Sequence, residues 1–193
     1  MVSASIKSSE IRFGECNKKL LEEVIFYGIS LGADFVELFI ENSDNSSVLA
    51  EEDFITNVSP SFSKGAGIRI FKDKRDGFVS TNDLSKHGLM RSISQAIEML
   101  DISKKTNKLI FNGLEKLKDY SKSKINWLNE VPTINEVSEK LLLSTKSLKK
   151  DKKVVVRKGS YARNWQEVII ASSDGTYATD IRLHQTVGLN IIA

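Results

Sequence analysis

Few residues of this 193-residue chain have the types and spacing that chemistry requires. Asp83 and His87 lie four positions apart in a predicted helix, so both face one side and resemble half of a metal site. A metal needs further donors, and the only other histidine is His184, so Asp83 is better interpreted as a helix cap and no metal site is predicted. Cys16 has no base close to it in the sequence and is predicted to be a small buried residue rather than a nucleophile.

The glycines Gly65 and Gly67 have the spacing of part of a phosphate-binding loop. Such a loop needs a helix that opens directly after the glycines, where free N–H groups converge on the phosphate. Residues 66–71 instead alternate apolar side chains with Gly67, Arg69 and Phe71, which is the period of a strand. The glycines are therefore predicted to permit close backbone packing or a bulge.

The densest basic cluster lies at residues 149–158, close to Tyr161 and Trp165. It consists of Lys149, Lys150, Lys152, Lys153, Arg157 and Lys158. Aromatic rings among basic side chains can bind single-stranded nucleic acid. The alternative function is therefore a stand-alone binding module, for which nucleic acid is a candidate ligand. Against it, 28 basic residues oppose 25 acidic ones, for a net charge of +3. The carboxylates of residues 51–53 are interpreted as a solvated strand end that discourages sheet-to-sheet pairing.

Residues 63–100 are predicted to form a hairpin that leads into an amphipathic helix. The turn is placed at the charged residues 72–76, with Asp76-Gly77 supplying the positive-φ positions. The return strand occupies residues 77–81, and Asn82 or Asp83 is expected to cap the helix. The apolar face of this helix is predicted to comprise Leu84, Met90, Ile93, Ile97 and Leu100.

The other segments complete an α+β pattern. Before the hairpin, they are a helix at residues 15–31 stopped by Gly32, a strand at 35–40 covered on both faces, a polar turn at 42–46, and strands at 47–52 and 54–59. After it, a helix is predicted from a Thr133–Glu136 capping box to about residue 150. Two long strands at 153–172 and 176–193 then flank a turn at Asp174-Gly175. We expect a mixed, largely antiparallel sheet with helices packed on one face, followed by a helix plus a long β-hairpin. The predicted domains are an N-terminal α+β domain at 1–101, a lysine-rich connection at 102–132, and the start of a middle domain at 133–193.

The last predicted strand alternates cleanly between two faces. Its apolar side contains Ile181, Leu183, Val187, Leu189 and Ile191, with Gln185 as the exception. On the opposite side, Arg182, His184 and Thr186 are predicted to form a polar surface that faces a peptide or partner, although an ordinary solvated sheet face has the same pattern. The alternation stops abruptly at residue 193, which predicts a fragment of a longer protein.

The sequence argues against a secreted, a membrane-spanning or a disulfide-stabilised protein. The first ten residues lack the apolar core of a signal peptide, and no apolar run approaches the ~20 residues that span a bilayer. Cys16 is the only cysteine, so no internal disulfide can form. These features predict a cytoplasmic protein without a membrane segment.

Three segments in order resemble the TldD/PmbA family, closer to TldD. The central one reads Gly-Ala-Gly-Ile-Arg at residues 65–69, then a charged turn, then Gly-Phe-Val-Ser-Thr-Asn-Asp-Leu-Ser at 77–85. Upstream, residues 32–38 read Gly-Ala-Asp-Phe-Val-Glu-Leu. Downstream, residues 167–170 read Glu-Val-Ile-Ile, followed by Ser-Asp-Gly-Thr at 173–176 and Asp-Ile-Arg at 180–182. The resemblance identifies the chain as similar to the N-terminal portion of that family.

The resemblance implies a cytoplasmic zinc metallopeptidase, earlier linked to modulation of DNA gyrase, that trims unfolded peptides. It also implies a companion PmbA/TldE-like subunit or a homo-oligomer as the partner. The family's zinc site is a His-Glu-x-x-x-His helix in the C-terminal half of the full-length protein. Since that motif is absent here, no catalytic, cofactor-binding or metal residue is assigned, and the chain is predicted to be inactive alone.

Overall fold

The computed structural model describes residue 13 and residues 16–100, 111–116 and 131–193. Its elements are α1 (Lys18–Ser30), β1 (Phe35–Glu51), β2 (Phe54–Lys72), β3 (Arg75–Thr81), α2 (Lys86–Met99), β4 (Glu115–Lys116), α3 (Ile134–Leu148), β5 (Val156–Ser172) and β6 (Thr176–Ile192). The strands form one sheet in the order β3-β2-β1-β5-β6-β4. The longer strands are antiparallel, whereas the two-residue β4 pairs parallel with β6. The predicted α+β class is confirmed.

The described residues gather into two compact units. Unit 1 comprises those within Met1–Asn42, Ser63–Lys122 and Glu167–Ile181, and unit 2 comprises those within Ser43–Phe62, Ser123–Gln166 and Arg182–Ala193. Much of the predicted connection at 102–132 lies outside the described residues. The predicted division at 101 and 132 stays a prediction.

Unit 1 is built on the face of β1 and β2 that α1 and α2 cover. Val36, Leu38 and Ile40 are fully buried, while Phe35, Glu37 and Phe39 between them are only half-buried. The expectation that this strand is covered on both faces was therefore wrong, because helices cover one face and the other keeps partial access to solvent. Gly32 ends the α1 region with a φ of +103°, as predicted from its position.

The hairpin that joins β2 to β3 turns earlier than predicted. Asp73 and Lys74 have positive φ angles of 46° and 67°, so they form the two central residues of the turn. Gly77 instead lies opposite Ile70 within the strand pair. The prediction relied on Gly77 to supply a positive φ angle. This tight hairpin turn has two consecutive residues in the left-handed region, because these match the twist of the flanking strands, and both of those residues precede Asp76.

The cap of α2 also differs from the prediction. The hydroxyl of Ser85, rather than Asn82 or Asp83, accepts a hydrogen bond from the backbone N–H of Gly88 at 3.1 Å. Asp83 lies two residues before Ser85, and its carboxylate accepts a hydrogen bond from the N–H of Ser85 at 3.1 Å. Leu84 therefore precedes the helix but is still buried beneath it.

The polar residues 42–46 do not form a turn but continue β1 as a strand of 17 residues. Three of their polar side chains, those of Asn42, Asp44 and Asn45, have partners on β5 that the sequence alone does not reveal. Within unit 2, the guanidinium of Arg163 contacts the carboxylate of Asp44 at 3.3 Å, and the Asn164 amide donates to Asn45. The predicted strand at 54–59 likewise continues as the 19-residue β2.

Unit 2 contains α3, which begins with the predicted capping box. The Thr133 hydroxyl accepts from the N–H of Glu136 at 3.2 Å, and the Glu136 carboxylate accepts from the N–H of Thr133 at 2.8 Å. The helix ends at Leu148, slightly before the predicted residue 150. Its buried residues pack on β1 and β5 in a cluster of Val48, Ala50, Val137, Leu141 and Tyr161.

The hairpin between β5 and β6 turns at Asp174-Gly175, as predicted. Gly175 has a φ of +98°, and the Asp174 carboxylate accepts from the N–H of Thr176 at 3.0 Å and from the Ser172 hydroxyl at 2.6 Å. These hydrogen bonds lower the pKa of Asp174. Among the described ranges, none of the helices has the length and apolar character that a bilayer crossing needs.

Candidate peptide or partner surface

The predicted polar row occupies one face of β6. Arg182, His184 and Thr186 are all exposed, and their spacing of two places them on the same side of the strand. The Arg182 guanidinium donates to the side-chain oxygen of Gln166 on β5 at 3.4 Å. The strand thus brings the three side chains onto one accessible surface, while their role as a peptide or partner surface stays a prediction.

The apolar side of β6 is exposed along most of its length in unit 2. Val187, Leu189 and Ile191 all have large exposed fractions. Gln185, the exception in this apolar row, accepts a hydrogen bond from the buried Tyr161 hydroxyl at 2.9 Å. The hydroxyl is the donor because an amide oxygen can only accept, and burial raises the pKa of this hydroxyl. The polar residue at position 185 therefore provides a hydrogen-bond acceptor for the buried hydroxyl of Tyr161. The alternation of apolar and polar residues in β6 did not reveal this contact.

The acidic turn (Glu51, Glu52 and Asp53) joins β1 to β2 and meets the basic cluster. Arg157 is the central contact, since its side chain is only 7% exposed and pairs with Glu52 and with Asp53, the latter at 3.5 Å. Lys149 contacts Asp53 at 2.8 Å, and Lys158 contacts Glu51 at 2.5 Å. Each carboxylate of the acidic turn thus has a basic partner.

These contacts change two interpretations from the sequence. The acidic turn is not merely a solvated strand end: hydrogen bonds from Arg157 lower the pKa of Glu52, and one from Lys149 lowers that of Asp53. Half of the basic cluster is correspondingly neutralised, which leaves less positive charge for phosphate groups. The ion pairs escaped the sequence analysis because they join positions about one hundred residues apart.

The remaining candidate residues have structural roles. Gly65 and Gly67 lie in β2, and a Cβ atom on Gly67 would stand 3.1 Å from the ring of Phe78, which confirms close packing. Cys16 is buried, and burial raises its pKa to about 11 against the opposing effect of Lys64. Asp83 forms an ion pair with Arg91 at 3.5 Å.

A zinc ion does not fit the side chains that the structure describes. Zinc sites need three or four nitrogen, sulfur or oxygen donors that converge on one point. Within residues 13, 16–100, 111–116 and 131–193, no group of three or more His, Cys, Asp or Glu side chains is arranged to hold a metal ion.

Two segments of the chain match the models of a known protein family. Residues 36–100 match the model of PmbA/TldA metallopeptidase domain 1, and residues 127–193 match the central domain of the same family. The chain belongs to the TldD/PmbA family. The resemblance seen in the sequence is therefore confirmed over both segments, including the hairpin of β2 and β3 and the hairpin of β5 and β6.

Individual relatives agree with the family. The chain is 23% identical over 159 residues to a metalloprotease TldD homolog of Buchnera aphidicola, covering 77% of this chain and 30% of that protein. Among solved structures, a proposed modulator of DNA gyrase from Bacteroides thetaiotaomicron superposes with a TM-score of 0.69 at 19% identity, over 93% of this chain and 42% of the other. TldE from Thermococcus kodakarensis gives 0.68 at 22% identity, over 89% and 39%. The chain thus spans about 30 to 42% of the length of these relatives.

Proposed function

We propose that the chain is the non-catalytic N-terminal portion of a TldD-like metal-dependent peptidase subunit, where it contributes substrate enclosure and subunit pairing in the cytoplasm. One observation carries the proposal: the chain matches domain 1 and the central domain of a metallopeptidase family, yet it contains only two histidines and no His-Glu-x-x-x-His motif. A catalytic zinc needs about three protein ligands beside its water, and zinc is therefore expected only in the full-length family protein.

The pairing and enclosure roles are supported by the strands. Four strands have 17 to 19 residues, whereas strands in globular proteins most often have about five or six. Exposed strand edges can bind an extended peptide through main-chain hydrogen bonds. The row of Arg182, His184 and Thr186 is the surface that we assign to an unfolded peptide or to a companion PmbA/TldE-like subunit.

The first test concerns catalysis. The purified 193-residue chain is dialysed after exposure to zinc, its metal content is measured, and it is incubated with an unfolded peptide beside an intact TldD homolog. We expect no retained stoichiometric zinc and no cleavage by this chain, with cleavage by the homolog. Retained zinc together with cleavage would refute the proposal.

The second test concerns the polar row. Arg182→Ala, His184→Ala and Thr186→Ala are combined in one chain, and its binding to a TldE-like subunit and to an unfolded peptide is compared with wild type. The matched control combines Lys146→Ala and Ser147→Ala, which remove exposed polar groups from α3. Loss of binding in the first variant alone supports the assignment, whereas equal binding in both removes these residues from the surface.

The alternative function is a stand-alone binding module, with nucleic acid as the candidate ligand. It is favoured by Lys150, Lys152 and Lys153, which are exposed directly after α3, but the ion pairs of their neighbours with the acidic turn weigh against it. This function requires affinity for single-stranded DNA or RNA that falls steeply with salt. If no binding is detected at low ionic strength, the alternative is eliminated.

A further inference from the structure

The outer edge of β2 is open along half of its length in the part of the chain that the structure describes. β3 covers this edge only from Ala66 to Lys72, which pair with residues 75–81. In the sheet order, β3 is the only described strand outside β2. Residues 54–65 therefore present backbone N–H and C=O groups that no described strand bonds on that side.

This open segment has an unusual composition for a strand edge. Residues 54–63 contain no charged side chain, although edge strands are commonly protected by lysine or other charges. Phe54 is 72% exposed, Val58 46% and Phe62 76%. Their spacing of four places all three on the same side of an uninterrupted strand. Pro60 is the only feature that restricts pairing here, as prolines do on edge strands.

The segment is complementary to itself in the antiparallel direction. If two copies pair with Val58 opposite Val58, then Phe54 of each copy lies opposite Phe62 of the other. Aromatic side chains at directly opposed positions stabilise antiparallel pairs. The same register places the acidic turn, which precedes the strand, beside Lys64, which follows Phe62 by two residues. Two independent features, the phenylalanine spacing and the order of charges, thus select one register.

We propose that the open edge of β2, centred on Val58, is the surface on which a second copy of this chain pairs. The proposal rests on the pairing role in the proposed function and adds a second pairing surface, the edge of β2, to the polar row on β6. The carboxylates of the acidic turn already have partners in their own copy, so their attraction to Lys64 favours the register more than it strengthens the dimer.

The available area predicts a weak dimer. A buried phenylalanine side chain covers ~150–250 Å², so the two phenylalanines of each copy supply roughly half of the ~800 Å² per partner of a standard interface. Backbone hydrogen bonds and the neighbouring side chains supply the remainder. A reversible dimer that forms in the micromolar range is therefore expected.

The test exploits the self-opposition of position 58. Val58→Lys and Val58→Glu each place two like charges face to face, so each variant alone should dimerise at least about tenfold more weakly than wild type in sedimentation equilibrium. Mixing the two variants should restore dimers, since lysine then opposes glutamate. Leu143→Lys adds the same charge at an exposed apolar position of α3 and should dimerise like wild type. Circular dichroism of each variant verifies folding.

Three results would overturn the proposal: a wild-type chain that stays monomeric at every concentration, a Val58→Lys variant that dimerises as wild type does, or a mixture of the two variants that fails to dimerise. A monomeric chain whose β2 edge binds an unrelated extended peptide also counts against it. These outcomes are separate from those of the proposed function, which fails on zinc retention and peptide cleavage whatever the oligomeric state.

Discussion

The Arg157 guanidinium donates a hydrogen bond from Nη1 to the backbone carbonyl of Thr145 in the last turn of α3, at 3.2 Å. Carbonyls in the last turn of a helix lack intrahelical partners, and a positive charge beside them is favourable. The same guanidinium pairs with Glu52 and Asp53 of the acidic turn. One side chain of β5 therefore joins the end of α3 to the turn between β1 and β2.

Replacing Arg157 should destabilise unit 2 more than any exposed change. In Arg157→Met, the Thr145 carbonyl and the acidic turn lose their shared donor, so we expect the free energy of unfolding to fall by ~2–4 kcal/mol. Arg157→Lys retains the charge but cannot reach several acceptors at once, so its loss should be about half as large. Urea unfolding followed by circular dichroism measures both values.

The matched control for Arg157 is Lys150→Met, since Lys150 belongs to the same basic cluster but is exposed. It removes the same charge and should change the free energy of unfolding by less than about 0.5 kcal/mol. Equal effects of the two substitutions would show that the contacts of Arg157 are unimportant for stability.

Acidification should destabilise the chain partly through the acidic turn. Hydrogen bonds from Arg157 lower the pKa of Glu52 below its usual 4.5, and one from Lys149 lowers that of Asp53 below 3.8. A carboxylate with a depressed pKa in the folded state stabilises the fold above its unfolded pKa, and this contribution is lost as the pH falls through the folded pKa. The free energy of unfolding should therefore decline below about pH 4.5.

The variant Glu52→Gln isolates one carboxylate in this pH dependence. It cannot titrate, so its stability should be lower than that of wild type at neutral pH and should converge towards it in acid. Unfolding experiments at several pH values test this. A constant difference between the two proteins from neutral pH into acid would exclude Glu52 as a contributor.

Gly159 marks the closest approach of α3 to β5. A Cβ atom at this position would stand 2.9 Å from the Cγ and Cδ1 atoms of Leu141, which is buried in the helix face. Gly159→Ala should therefore lower the free energy of unfolding by ~1–3 kcal/mol, because the core must shift to accept a methyl group. Thermal unfolding provides the measurement.

Gly188 offers the same substitution in a less demanding place. The nearest atom to its added Cβ is the exposed Ser160 hydroxyl, which can rotate away. Gly188→Ala should thus cost clearly less than Gly159→Ala. If the two substitutions cost the same, then the contact with Leu141 does not limit the packing of α3.

Local chemistry in the sequence was sufficient for some elements. The Thr133–Glu136 capping box and the Asp174-Gly175 turn depend on residues within three positions of each other, and the structure contains both. The family resemblance likewise rested on short motifs around the hairpins. The polar row on β6 followed from alternation alone, because side chains two apart share a face.

Distant partners account for most of what the sequence did not reveal. Residues 42–46 resemble a turn until Arg163 and Asn164 of β5 are placed beside them, and these partners lie nearly 120 positions away. Arg157 was recognised only as part of a basic cluster, since its acidic partners belong to another hairpin. The turn of the β2–β3 hairpin was misplaced because Asp73 and Lys74 adopt positive φ angles without glycine.

Cys16 should be unreactive in the folded protein. Burial raises its pKa to about 11, so almost no thiolate, the reactive form, exists at pH 8, and the side chain is screened from solvent. Titration with Ellman's reagent at pH 8 should label about one thiol per chain in urea and almost none without it.

The variant Arg157→Met, whose substitution lies in unit 2, is compared with wild type at equal protein concentration. If unit 1 unfolds together with unit 2, then Cys16 of the variant reacts at lower urea concentrations than Cys16 of wild type. Rapid labelling of the native wild-type protein would contradict the buried position of Cys16.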